Sequence, residues 1–305
     1  MKALLTAFAL ASVAAAAQAQ TTPSTYAVST QAKIEYAQHD GVALAGDLYL
    51  PKGLDKAPLV IAVHGGGWQV GGPITYRHWG TFLAKHGFAV FAISYRLSKP
   101  GAKTFPAAVY DVKAAIQFAR ANAARLGIDP DRIGLMGDSA GAHLTALVAL
   151  AGDEPLFSTE YRSDPHVATA ANVKSVIGFY GVYDMQAQWL HDQITRPRDQ
   201  ISEKFLGASP MQNRKLYFDA SPISYATFDN NKTAVFVIWG TEDDTVDYRS
   251  QSLEFLTALK QAEFQARPCI VHGAPHYWLS DPIDEPGSHS GFVAPRLIRF
   301  LKERL

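Results

Sequence analysis

Five continuous apolar runs constrain this chain more than any other feature. Leu59–Val63, Phe88–Ile93, Ile133–Met136, Val176–Phe179 and Ala234–Trp239 are built from apolar residues and glycine alone. A strand with one wet face alternates apolar and polar side chains, whereas a strand covered on both faces does not. The runs therefore predict central strands of a sheet with layers on both sides. Between and after them, Phe105–Leu126, Ala140–Ala151, Tyr248–Gln261 and Pro295–Leu305 carry apolar residues at helical spacing. The first of these starts after Pro106 and stops at Gly127. Strands alternating with helices predict an α/β fold: a mostly parallel sheet with right-handed crossovers and flanking helices. Ile34–Gln38 and Val42–Leu50 do alternate, and Asp40-Gly41 lies between them. That pattern predicts an antiparallel hairpin at one edge.

Residues 152–172 and 185–230 fit no such alternation and are rich in Asp, Pro, Ser, Gln and aromatics. They read as small lid-like insertions above the sheet that shape a substrate mouth, or else as plain surface loops. Ahead of the sheet, Lys2, the Ala-rich stretch Ala3–Ala17 and Ala17-Gln18-Ala19 have the form of a secretory signal peptide over residues 1–19. The apolar stretch is short for a membrane span, which takes about 20 residues. Export to the periplasm or beyond is expected, with no membrane anchor after cleavage. Residues 20–32 read as a loose arm, and 33–305 as one catalytic domain.

Lys plus Arg and Asp plus Glu both number 28, so no basic excess exists to hold a nucleic acid. Cys269 is the only cysteine, which excludes an intramolecular disulfide and a cysteine-based metal site. It lies in the run Pro268–Val271 and reads as a small core hydrophobe rather than a reactive thiol.

Gly137-Asp138-Ser139-Ala140-Gly141 follows one predicted strand and opens a predicted helix. That is the context of a nucleophile elbow, a turn so tight that the neighbours of the serine must be small. His64-Gly65-Gly66-Gly67-Trp68 follows the strand Leu59–Val63. A glycine-rich loop brings backbone N–H groups close to a substrate, and with the N–H of Ala140 it would form an oxyanion hole. His64 is expected to brace that loop. An acid is required after a late strand, and Glu242, Asp243, Asp244 and Asp247 compete there. Asp243 is the first choice and Asp244 the alternative. His276 lies in the loop beyond the last apolar run, with His272 nearer the strand end and read as structural. Trp68, Tyr180, Tyr183, Tyr277 and Trp278 all follow strand ends, so they are candidates to line the substrate pocket, with core packing as the alternative.

Together these motifs resemble the α/β-hydrolase superfamily, in particular its hormone-sensitive-lipase-like branch and the related feruloyl and acetylxylan esterases. The resemblance also takes in Ser94-Tyr95-Arg96-Leu97, Phe105-Pro106-Ala107-Ala108, Gly127-Ile128-Asp129-Pro130 and Gly240-Thr241-Glu242-Asp243, and spans roughly residues 33–305. It implies a triad of Ser139, Asp243 and His276, with Gly66 and Gly67 joining Ala140 as oxyanion donors. It further implies a carboxylesterase that needs no cofactor or metal and acts on small-molecule esters, of aryl or bulky type if the aromatics form a wall. The N-terminal cap usual in the lipase-like branch has no counterpart before His64. Kynurenine formamidases are also similar, through a related glycine loop, and make an amide hydrolase the alternative. A non-catalytic binding protein of the same fold is a third reading.

Overall fold

The structure, a computed structural model, describes residues 25–305. The residues read as a signal peptide lie outside the described ones. The chain opens with β1 (Val28–His39) and β2 (Val42–Pro51), an antiparallel pair in which His39 faces Val42 across the Asp40-Gly41 turn. Strand β1 therefore starts earlier than the periodicity suggests. Residues 28–32, expected in a loose arm, belong to it, because Val28, Ser29, Thr30 and Gln31 pair with Pro51, Leu50, Tyr49 and Leu48. Backbone pairing here outweighs a polar composition that promised no strand.

The chain continues through β3 (Ala57–Val63), α1 (Arg77–Lys85), β4 (Ala89–Ile93), α2 (Ala107–Ala121) and the short α3 (Ala123–Leu126). Then come β5 (Ile128–Asp138), α4 (Ala140–Ala151) and β6 (Ser175–Phe179). The helices α5 (Met185–Thr195), α6 (Ile201–Leu206) and α7 (Arg214–Asp219) precede β7 (Ala234–Gly240). The chain closes with α8 (Glu254–Gln261), β8 (Ala266–Val271) and α9 (His289–Arg304). The strands form one eight-stranded sheet in the order β1-β2-β4-β3-β5-β6-β7-β8. It is parallel from β4 through β8 and antiparallel at the β1–β2–β4 edge. Every residue of β3, β4, β6 and β7 is buried, as unbroken apolar runs require. The sheet separates two buried apolar clusters, one including Leu144, Val148 and Phe255 and the other Trp79, Val293 and Phe300. Cys269 is buried in the second.

Two further expectations need correction. Helix α9 begins at His289, not Pro295, because the Ser288 hydroxyl accepts the N–H of Gly291 and caps it. Segment 152–172 does not cover the substrate mouth. It runs along α2, where Lys113 Nζ donates to the Phe157 carbonyl at 3.1 Å and Gln117 Nε2 to the Val167 carbonyl at 2.9 Å. It is fastened to the hairpin by His39, which lies 2.6 Å from Asp111 Oδ1 and 2.8 Å from Asp164 Oδ2. Burial pulls the His39 pKa down, but bonds to the two carboxylates outweigh it and raise it overall. Segment 185–230, by contrast, carries α5 and α6 to the C-terminal ends of the parallel strands, where ligands of open α/β sheets bind.

Candidate active site

Ser139 sits between β5 and α4 with φ +51° and ψ −118°, a strained conformation for a residue with a side chain. Two close approaches make the turn possible. A Cβ on Gly137 would lie 2.3 Å from the Gly141 carbonyl oxygen, and one on Gly141 would lie 1.9 Å from that of Val63. The Ser139 N–H donates to the Phe179 carbonyl at 2.9 Å, which ties the turn to the end of β6.

His276 is brought to this point by the loop after β8, and Asp243 by the loop after β7. His276 Nε2 lies 3.1 Å from Ser139 Oγ, and His276 Nδ1 lies 2.6 Å from Asp243 Oδ2. A carboxylate only accepts, so Nδ1 carries the proton and Nε2 is free to accept from the serine hydroxyl. The other oxygen of Asp243 accepts the N–H groups of Thr245 and Val246 at 3.0 and 2.9 Å. All three side chains are buried. The Tyr180 ring packs on His276 with 4.4 Å between centroids. The competing acids are placed elsewhere: Glu242 and Asp244 are exposed, and Asp247 bonds Ser250. His272 is exposed, and among the described residues its ring forms no hydrogen bond to Ser139 or to an acid.

The glycine loop lies against the elbow. Gly66 and Gly67 have φ of +105° and +58°, and a Cβ on Gly66 would lie 2.1 Å from the Val70 carbonyl oxygen. Only glycine takes this path without a clash. Among the described residues, the N–H groups of Gly66, Gly67 and Ala140 have no intramolecular acceptor. His64 braces the loop: its Nδ1 lies 2.7 Å from the Gly65 carbonyl and its ring stacks on Tyr95. Burial lowers its pKa to about 4, so it stays neutral.

A cavity of about 400 Å³ opens on Ser139. Gly66, Gly67, Ala140, Trp68 and Tyr277 line it, with Val182, Val246 and Ile201 on its apolar side, Gln188 and Asp192 on α5 and Arg196 just beyond that helix. The aromatic wall expected from the sequence is mostly absent. Tyr180, Tyr183 and Trp278 do not line this cavity. Tyr183 stacks on Phe255 at 4.2 Å, and Trp278 packs edge-on against Phe179 and Tyr180. Position after a strand end does not say whether a ring turns outward or folds back, and these fold back into the core.

Sequence reasoning also missed Asp138 and His143. Asp138 is buried and accepts the Gly65 N–H at 2.9 Å and the Tyr76 hydroxyl at 3.0 Å. Burial pushes its pKa up to about 6 against these bonds. Its place inside the elbow motif was the available signal. His143, one turn into α4, accepts from the Trp68 indole. Nothing in its spacing marked it.

Comparison with known proteins agrees with this geometry. The BD-FAE family model matches residues 46–259. Esterase LipQ of Mycobacterium tuberculosis is 36% identical over 216 residues, covering 68% of this chain and 47% of LipQ. Esterase LipC of the same organism is 29% identical over 250 residues, covering 81% of this chain and 58% of its own length. The chain thus spans about half the length of the curated relatives it matches. Among solved structures, the propionate-bound Est2 esterase of Thermogutta terrifontis superposes with a TM-score of 0.70 and 25% identity, covering 92% of this chain and 94% of that one. A family model that matches most of the chain, over a sheet and an elbow of this form, means that the chain belongs to the BD-FAE family of the α/β-hydrolase superfamily.

Proposed function

We propose that this protein is an exported serine carboxylesterase that acts through an acyl-enzyme on Ser139. The observation that carries the proposal is the hydrogen-bonded line Ser139–His276–Asp243, set beside unpaired N–H groups at the floor of an open cavity. His276 Nε2 takes the hydroxyl proton as Ser139 Oγ attacks the ester carbonyl carbon. The carbonyl oxygen becomes an oxyanion and accepts from Gly66, Gly67 and Ala140. Collapse of the adduct breaks the ester C–O bond. His276 returns the proton to the departing alcohol, and Asp243 holds the imidazolium in place. Water then repeats the sequence on the acyl-enzyme and releases the acid. None of these steps calls for a metal or cofactor.

The relatives support the reaction class, since LipQ, LipC and Est2 are all named esterases. An ester of acetyl or feruloyl type with a hydrogen-bonding substituent is supported by Gln188 and Asp192 of α5 and by Arg196 just beyond it, which line the cavity. Export rests on the N-terminal pattern Lys2, Ala3–Ala17 and Ala17-Gln18-Ala19.

The test is hydrolysis of p-nitrophenyl esters from acetate to decanoate by the protein and by Ser139→Ala. Turnover that disappears in the variant is expected, and the chain-length optimum sizes the acyl site. Turnover of aryl formamides but not esters would replace this reading with the amide-hydrolase one. Equal turnover by the variant would assign the nucleophile elsewhere.

A further inference from the structure

We infer that His143 is a positioning residue for acyl transfer: it holds the glycine loop in register through Trp68 and fastens that loop to the 185–230 segment. The inference rests on the serine-esterase reading above. His143 lies in the first turn of α4, and its N–H donates to the Ser139 carbonyl at 3.1 Å. The side chain is fully buried, and both ring nitrogens are engaged. Nδ1 lies 3.2 Å from the Trp68 indole nitrogen, and Nε2 lies 2.7 Å from the Ala220 carbonyl oxygen. An indole N–H only donates and a carbonyl only accepts, so one arrangement satisfies both: neutral imidazole, protonated on Nε2.

The three groups joined here come from distant parts of the chain. Trp68 ends the glycine loop, His143 follows the nucleophile, and Ala220 follows α7. Phe205, on α6, completes the contact by stacking on Trp68 at 4.6 Å and meeting His143 edge-on at 5.6 Å. Trp68 needs such a clamp. Its φ of +58° is left-handed, a conformation that disfavours a bulky side chain. Its indole is nearly inaccessible to solvent, and its carbonyl accepts the Ser98 N–H at 2.7 Å. Gly66 and Gly67 directly precede it, so a rotation of Trp68 turns their N–H groups away from the position of the oxyanion. Loss of alignment at these donors acts on the transition state more than on substrate binding.

The test compares His143→Leu, which has no acceptor, with His143→Asn, whose amide oxygen takes the place of Nδ1. On p-nitrophenyl acetate, His143→Leu is expected to lower kcat about tenfold or more, with KM changed less than about twofold. His143→Asn is expected to recover most of that loss. Trp68→Phe removes the donor from the other side, and the double variant with His143→Leu is expected to be no worse than the more impaired single variant. The indole N–H resonance of Trp68, assigned by its disappearance in Trp68→Phe, gives a readout that needs no turnover. It is expected to shift in His143→Leu and to stay near its original position in His143→Asn. Equal kcat losses in the Leu and Asn variants, or an unshifted indole resonance in His143→Leu, would overturn the inference while leaving the esterase reading intact. Absence of turnover in the unsubstituted protein would overturn the esterase reading, and the acyl-transfer role with it.

Discussion

Asp138 Oδ1 accepts the main-chain N–H of Gly65 at 2.9 Å, joining the nucleophile turn directly to the glycine loop. The same oxygen accepts the Tyr76 hydroxyl at 3.0 Å, and that hydroxyl also lies 3.2 Å from the Val63 carbonyl. Two strand ends and the glycine loop are thus joined through one carboxylate and the Tyr76 hydroxyl. Replacing Asp138 with Ala would leave the buried Gly65 N–H unsatisfied, at about 1–3 kcal/mol, while the Tyr76 hydroxyl keeps the Val63 carbonyl as acceptor. Denaturant unfolding is expected to show a loss of that order. Asp138→Asn keeps an acceptor oxygen and is expected to lose much less.

Asp138 also sets a pH dependence. Its folded pKa of about 6 lies above its unfolded value near 3.9. Between these values the folded chain holds a proton that the unfolded chain has released. Its contribution to stability therefore falls as pH rises through that window, by about 3 kcal/mol. Unfolding free energies measured at pH 4 and pH 7 are expected to change by about 2–3 kcal/mol more in the favourable direction for Asp138→Asn than for the native protein, because the variant lacks this declining contribution.

The buried histidines act in the opposite sense. Burial holds His64 and His143 at about 4, below the unfolded value near 6.5. Between those values the unfolded chain binds protons that the folded chain refuses. Their contribution is complete above about pH 6.5 and is lost as pH falls toward 4, by about 3 kcal/mol for each histidine. Proton uptake on unfolding near pH 5 is expected to drop by about one in His143→Asn. An unchanged uptake would mean that His143 already titrates normally in the folded protein.

The two neighbouring acids of the β7 loop are expected to separate in function, because Asp243 alone reaches His276. Asp243→Asn offers His276 an amide and favours the wrong tautomer, an exchange that lowers kcat about 10⁴-fold in serine hydrolases with this triad. A fall of several orders of magnitude is expected here, with the thermal midpoint little moved. Asp244 is exposed and bonds Thr245 through its side chain, so Asp244→Asn is expected to keep kcat within about twofold.

Close approach makes Gly141 irreplaceable. Gly141→Ala would drive a methyl group to 1.9 Å from the Val63 carbonyl oxygen, where backbone must move. Little soluble folded protein is expected. Gly53, left-handed at φ +80° but with nothing near its missing side chain, provides the contrast. Gly53→Ala is expected to remain folded with a loss of about 1 kcal/mol.

Much of this molecule was legible in its sequence, and the reason is periodicity. Unbroken apolar runs such as Leu59–Val63 and Ala234–Trp239 place strands under layers on both faces, and helix α4 falls on Ala140–Ala151. The elbow and the glycine loop were legible because close backbone approach admits only small residues at fixed spacing. These are local requirements, so a local pattern records them. Only the tertiary structure decided which of four acids meets His276, which aromatics line the cavity, and that segment 152–172 packs on α2 while 185–230 reaches Ser139. It alone placed Asp138 against Gly65 and His143 against Trp68, contacts that span 73 and 75 residues of chain. Those partners are chosen by which strand ends the sheet order brings together, and neither composition nor periodicity within one segment encodes that choice.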